Sequence, residues 1–319
     1  MLKNACKRRE CVNDTSSSPL WIPENGAKSI LGNVLDNTHT RHMTTDISVE
    51  LAFDRIDGTQ PKRAIAFLHG ILGRGNNLRT IARRFVEARP GWTAWLVDLR
   101  GHGRSPKGTP APSLESAARD VVDFAGRLAP PLGAIVGHSF GGKVALEAAR
   151  IGAISLLEHV IVIDSVPGVR DPLRGEDSAL AVMDAIESLP RTLASRSDFI
   201  EALVAAGKTR PLAQWLAGSV EREGDHVRFM LDLNEVRALI LDYFARDLWP
   251  VVEHPPGAAR MHLVIGDHSG SYSPADRERA ARIAASSERV TVDVLAAGHW
   301  VHVDNPDGLL RKLLDHIGG

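Results

Sequence analysis

The chain has 319 residues, of which 44% are hydrophobic and 24% charged, and a formal net charge of −1, the composition of an ordinary soluble globular protein. Its 38 Lys and Arg are scattered among 39 Asp and Glu, so no electrostatic footprint for nucleic-acid phosphates or an anionic lipid surface stands out. No apolar run approaches the ~20 residues that span a bilayer, which excludes a transmembrane segment from the expectations.

The only cysteines, Cys6 and Cys11, lie near the start without histidine partners, so neither a disulfide framework nor a zinc site is expected. Residues 1–42 are rich in Ser, Thr and Asn and lack the apolar core of a secretory signal; they are read as a disordered extension outside the fold. A cytoplasmic protein is expected, with an organellar one as the alternative if this segment acts as a transit peptide. Glu10, Asp14, Glu24 and Asp36 argue against such a peptide.

Folding starts at Ile47–Phe53, whose alternation of apolar and polar residues predicts a half-exposed edge strand. Ala64–Leu68 is a continuous apolar run suited to a strand covered on both faces. It ends at His69-Gly70-Ile71-Leu72-Gly73, which can be read as a plain glycine turn with a buried histidine or as a loop presenting the Ile71 N–H to an oxyanion. Apolar residues at helical spacing follow over 77–89, then a strand over 93–97. Asp98–Ser105 is a glycine-rich turn, and His102 within it is read as structural. A helix is predicted over 113–128 with Ser113 as N-cap.

The next strand leads into Gly137-His138-Ser139-Phe140-Gly141, followed at once by good helix formers over 143–150. Strand, sharp turn and helix in that order hold a serine in a strained backbone conformation with its hydroxyl clear of the sheet. The N–H of Phe140, at the start of the helix, is placed to meet an oxyanion beside Ser139. His159–Ile163 is another buried strand, ending at Asp164. Residues 168–250 then break the alternation of strand and helix: they read as helical with no clear strand, hence as a cap inserted into a core formed by 43–167 and 251–319. Strands over 261–265 and 290–295, a helix over 274–285 and a final helix over 306–317 complete the chain. The expected class is α/β, with a mostly parallel central sheet, helices on both faces and a helical cap.

The order of these elements, with His69-Gly70, Gly137–Gly141 and Gly298-His299-Trp300, resembles the α/β-hydrolase superfamily over about residues 47 to 319. LHGILGRGNNLRTIAR, VDLRGHGRSP, VGHSFGGKVALEAA, VIDSVP and AGHWVHVDNPDGL are similar to its esterase branch, which includes a small bacterial acyl-esterase and mitochondrial relatives. The resemblance implies hydrolysis of a small-molecule acyl ester or thioester through a serine acyl-enzyme. Ser139 would be the nucleophile, His299 the base, and the N–H groups of Ile71 and Phe140 the oxyanion hole, with no metal or organic cofactor required.

For the acid, the usual superfamily slot in Gly266-Asp267-His268-Ser269 holds Ser269. Asp164, the position that the VIDSVP segment supports, is preferred, and Asp267 is the alternative, while Ser269 could hydrogen-bond the histidine. Asp232 and Asp242 in the cap segment are weaker candidates. A C–C bond hydrolase or perhydrolase using the same three groups, and a slow-turnover ligand sensor beneath a cap, remain as alternative functions.

Overall fold

In the computed structural model of the protein, the structure describes residues 48–108, 112–152, 154, 156–171 and 178–318. The expected N-terminal extension, with Cys6 and Cys11, lies outside them.

The first strand begins later than its sequence pattern predicts. Val49 N–H donates to Asp120 Oδ1 and Ala52 N–H to Ser105 Oγ, so the donors of this stretch go to side chains, while Ala52 C=O accepts from Asp98 N–H. Strand β1, Phe53–Asp57, then forms the sheet edge, with alternating exposure. Strand β2 (Arg63–Leu68) leads through helix α1 (Arg79–Ala88) to strand β3 (Trp92–Val97). Helix α2 (Leu114–Ala125) starts at Ser113, whose hydroxyl accepts from the Ser116 N–H as expected of an N-cap. Strand β4 (Leu132–His138), helix α3 (Phe140–Ile151) and strand β5 (His159–Ile163) follow.

After β5 come helices α4 (Ala179–Glu187), α5 (Arg196–Ala205) and α6 (Arg210–Leu216). The expectation that this segment holds no strand is corrected here. Strands β6 (Val220–Glu223) and β7 (His226–Phe229) form an antiparallel hairpin around Gly224 and Asp225. Only Val220 and Val227 are buried in it, so two short charged strands carry too little alternation to be recognised. The Val227 N–H is also held by Leu193 C=O, which fastens the hairpin to the loop before α5. Helices α7 (Leu233–Ala245) and α8 (Trp249–Glu253) return the chain to the sheet. Strand β8 (Arg260–Gly266), helix α9 (Pro274–Ser286), strand β9 (Val290–Leu295) and helices α10 (Val301–Asp304) and α11 (Pro306–His316) complete it.

The main sheet has seven strands in the order β1-β3-β2-β4-β5-β8-β9, all parallel except β1, which runs antiparallel to β3. Both faces are covered. In β2, Ala64, Ala66 and Leu68 join the core containing α2 and α3, while Ile65 and Phe67 join the core of α1 and α11, as a period of two requires. Near-continuous apolar strands are the sequence signature of such a doubly covered parallel sheet. From β2 the chain winds one way to β3, and from β4 the other way through β5, β8 and β9. The crevice at the carboxyl ends of β2 and β4 is therefore the topological switch point, where open α/β sheets bind ligands.

One polar pair is fully enclosed in this core. Arg100, from the glycine-rich turn after β3, donates from Nε and an Nη to the two carboxylate oxygens of Asp120 on α2, at 2.6 and 2.8 Å. Both side chains are buried. Removing one charge takes from the other its buried counter-charge, so Asp120→Leu should cost about 3–5 kcal/mol in a urea melt, whereas the Arg100→Met/Asp120→Leu double variant should recover part of that loss.

Candidate active site

The turn after β4 is built by close approach. A Cβ on Gly137 would lie 2.1 Å from the Gly141 carbonyl oxygen, and one on Gly141 would lie 2.5 Å from that of Leu68 at the end of β2. Only glycine lets strand and helix close to that distance. Between them Ser139 takes φ 52° and ψ −118° and serves as the N-cap of α3. Its N–H donates to Ile163 C=O at 3.0 Å and its own C=O accepts from Gly142 N–H at 2.8 Å. Phe140 is thus the first helical residue, with an N–H that no intrahelical carbonyl can take. Non-glycine residues at left-handed φ are, among the described residues, Leu72, Ser139 and Asp164, at 64°, 52° and 45°. They follow β2, β4 and β5, so backbone strain collects along one edge of the sheet.

Asp164, wholly buried, is the acid that the fold brings to His299. His299 Nδ1 lies 2.7 Å from its Oδ2, and a carboxylate can only accept, so Nδ1 is the donor in this bond and Nε2 is the ring nitrogen left for another partner. Gly266 N–H donates to Oδ1 at 3.1 Å and Ser269 Oγ donates to Oδ2. Burial by itself would raise the Asp164 carboxyl, but the hydrogen bonds and charge of His299, with those from Ser269, outweigh it and hold the group below the usual carboxylate range.

Asp267, the alternative acid, is elsewhere: its Oδ1 accepts from the Ala297 N–H at 2.9 Å, bracing the loop that carries His299. Ser269 meets the carboxylate and not the histidine. The hydroxyl beside His299 Nδ1, at 3.1 Å, belongs to Ser271. Ser271 was not singled out from the sequence, because a serine two places beyond the usual acid slot has no pattern of its own; only the turn from Gly266 to Ser273 brings it round. Asp232 caps α7 and Asp242 accepts from the Leu114 N–H, so neither belongs to the site.

The loop after β2 is held by two neutral histidines. His69 donates from Nδ1 to Gly70 C=O and accepts the Leu99 N–H at Nε2. His102 donates from Nδ1 to Arg100 C=O and accepts the Leu72 N–H at Nε2. Each ring bonds through both nitrogens, and burial, the leading cause, pushes His69 down to about 3 and His102 in the same direction. The structural reading of His102 agrees with this placement. Ile71 lines the cavity beside Ser139, whereas the N–H groups of Leu72 and Gly73 have internal acceptors in His102 and Gly70. His138 adds a contact not anticipated: its Nε2 donates to His299 C=O at 2.9 Å, tying the Ser139 turn to the histidine loop.

Ser139, His299, Ile71 and Ser271 open onto a cavity of about 740 Å³. Its far walls come from the segment between β5 and β8, with Val182 of α4, Leu212 and Trp215 of α6 and Ile240 of α7 among them. That segment is fastened to α3 by Lys143, whose buried Nζ donates to the carbonyls of Gly168, Tyr243 and Arg246 at 2.7, 2.7 and 2.8 Å. Burial pushes Lys143 down to about 7, while three acceptors and the Tyr243 ring 4.5 Å away favour the ammonium, which alone has three N–H bonds to donate. Among the described residues no cluster of His, Cys, Asp or Glu could hold a metal ion, and no helix is long and apolar enough to cross a membrane.

The strain at Ser139 is measurable. Glycine tolerates this backbone conformation and alanine does not, so Ser139→Gly should be more stable than Ser139→Ala by about 1 kcal/mol in parallel denaturant melts.

Comparison with known proteins agrees with this geometry. The chain is 29% identical over 277 residues to "sn-1-specific diacylglycerol lipase ABHD11" of Mus musculus, covering 84% of this chain and 85% of that protein. It is 26% identical to "Esterase YbfF" of Escherichia coli (strain K12), covering 79% of this chain and 92% of the other. Among solved structures, a marine microorganism esterase superposes with a TM-score of 0.71 at 25% identity, over 85% of this chain and all of that one. The alpha/beta hydrolase family model matches residues 65–312, from the third residue of β2 into α11, and with the strained serine turn at the sheet's switch point the chain belongs to the alpha/beta hydrolase family.

Proposed function

We propose that the protein is a serine hydrolase that cleaves acyl esters or thioesters through an acyl-enzyme. The observation that carries this reading is the contact of His299 Nδ1 with the buried Asp164 carboxylate, 2.7 Å, on the same cavity as the strained Ser139. His299 Nε2 takes the proton of Ser139 as Oγ attacks the acyl carbon. The tetrahedral oxyanion is met by the N–H groups of Phe140 and Ile71. The protonated His299 then gives its proton to the departing alcohol or thiol, leaving acyl-Ser139. Water, deprotonated by the same histidine, releases the acid and restores the serine. Asp164 holds the tautomer and stabilises the imidazolium, and Ser269, Ser271 and the Gly266 N–H hold Asp164 and the ring in place. The names of the mouse and E. coli relatives, a lipase and an esterase, agree with ester cleavage.

The same reading makes residues 168–250 a cap on a core of 43–167 and 251–319. Its support is that α4, α6 and α7 line the same cavity as Ser139. A cap of this kind sets substrate shape while the sheet edge does the chemistry.

A fluorophosphonate probe should label Ser139 alone, with the adduct located by mass spectrometry, and labelling that survives Ser139→Ala would overturn the assignment. Asp164→Asn should stay folded and lose on the order of 10⁴ in kcat on p-nitrophenyl esters, while Asp267→Asn should keep most of its activity. For the cap, Val182→Trp and Leu212→Trp should shift the preferred acyl length downward in an ester panel; an unchanged length profile would remove these helices from substrate selection.

A further inference from the structure

The cavity wall is apolar over much of its area, yet it contains one permanently charged cation among its described residues, Arg170. Arg170 sits on the segment that leaves β5, six residues beyond Asp164, and its N–H is bonded to Phe244 C=O at 2.9 Å, which fixes where the side chain starts. Its guanidinium lies beside the Tyr243 hydroxyl. No ion pair of Arg170 occurs among the described residues; Asp171, which follows it, also lines the cavity and has an interaction of its own. A half-buried guanidinium without a carboxylate, facing a ligand cavity, is a group whose partner is missing.

Two further features add positive charge on this side of the cavity, set against the Asp171 carboxylate that shares the wall. Helix α4 opens onto it with its N-cap Ser178 and first residue Ala179, and the first turn of α4 contains no acid to offset its dipole. Lys143 lies under the Tyr243 ring, but its three N–H bonds are spent on backbone carbonyls, so it adds charge without being able to bind a ligand. One guanidinium, one phenol and one helix end suit a monoanionic carboxylate, which accepts two parallel N–H bonds from an arginine; a dianionic phosphate would call for a second cation with free donors.

Resting on the hydrolase reading above, we propose that Arg170 forms a carboxylate subsite in the cavity, so that the preferred substrates are esters or thioesters carrying a second, free carboxylate away from the bond that is cleaved. Ser139 then acts at one place in the cavity while Arg170 anchors the other end of the substrate. The apolar residues of the same cavity, Val182, Leu212 and Ile240 among them, suit the methylene chain that joins the two groups.

The test compares p-nitrophenyl esters matched in length whose acyl chains end in a carboxylate or in a methyl group, such as mono-p-nitrophenyl glutarate and p-nitrophenyl valerate. A second pair carries the same difference on the alcohol side. In wild type, kcat/KM should favour the carboxylate member of at least one pair by on the order of 10- to 100-fold, and in Arg170→Met that ratio should fall to about one, with Arg170→Lys between. A wild-type ratio at or below one in both pairs, with neutral esters still cleaved in a Ser139-dependent way, would overturn the subsite and leave the hydrolase reading standing. No turnover of any ester would overturn the hydrolase reading. Glutarate binding to wild type and Arg170→Met, followed through the fluorescence of the cavity residues Trp215 and Trp300, then still decides whether Arg170 holds a carboxylate: equal affinities would overturn it.

Discussion

The structure depends on one close contact, that between β4 and α3 across the Ser139 turn. With the backbones of Gly137 and Gly141 too close for any side chain, the chain has to reverse within a single residue, and that residue takes the strain. Two consequences follow from the same geometry. The serine hydroxyl is lifted clear of the sheet, and the first N–H of α3 is left without a carbonyl beside it. Gly141 also packs on the Leu68 carbonyl, so the turn is referenced directly to β2 and the loop that carries Ile71. Both candidate oxyanion donors are therefore positioned by one packing constraint at the switch point of the sheet.

Around that turn, polar groups are satisfied in a way that removes freedom from the loops carrying Ser139 and His299. His69, His102 and His138 are kept neutral by burial and each spends a ring N–H on a backbone carbonyl. They are staples, not bases. The contrast with His299 is instructive: its Nδ1 faces a buried carboxylate and a hydroxyl, and its side chain remains about one-third exposed, open to the cavity. Environment, and not residue type, separates one histidine from the other three.

Among the bonds that join the segment between β5 and β8 to the core is the buried Lys143 Nζ on three carbonyls, an arrangement that couples the helix bearing the serine turn to the segment that lines the cavity. Since Asp164 follows β5 and Arg170 comes six residues later, the stretch that leaves the sheet contributes both the carboxylate that meets His299 and a charged part of the cavity lining.

Much of this was legible without a structure. Near-continuous apolar runs at 64–68, 134–136, 159–163 and 261–265 can only be strands covered on both faces, and the Gly-x-Ser-x-Gly string between strand and helix can close only around a strained serine, because those patterns report local geometry and burial directly. The hairpin at 220–229 was not legible, since its two buried valines are too few to set a period, and the first strand shifted from 47–53 to 53–57 because side chains distant in sequence, Asp120 and Ser105, took its backbone donors. In the site, Asp164, Asp267 and Ser269 were competing candidates around one histidine, and the roles of Ser271 and His138 had no sequence mark at all. The sequence by itself determined the layered fold and the serine turn, which follow from residues adjacent along the chain. Which carboxylate faces His299, which serine supports it and which cation looks into the cavity were decided only by the tertiary structure, because each depends on how loops more than 100 residues apart, such as those of Asp164 and His299 at a separation of 135, meet at the ends of neighbouring strands.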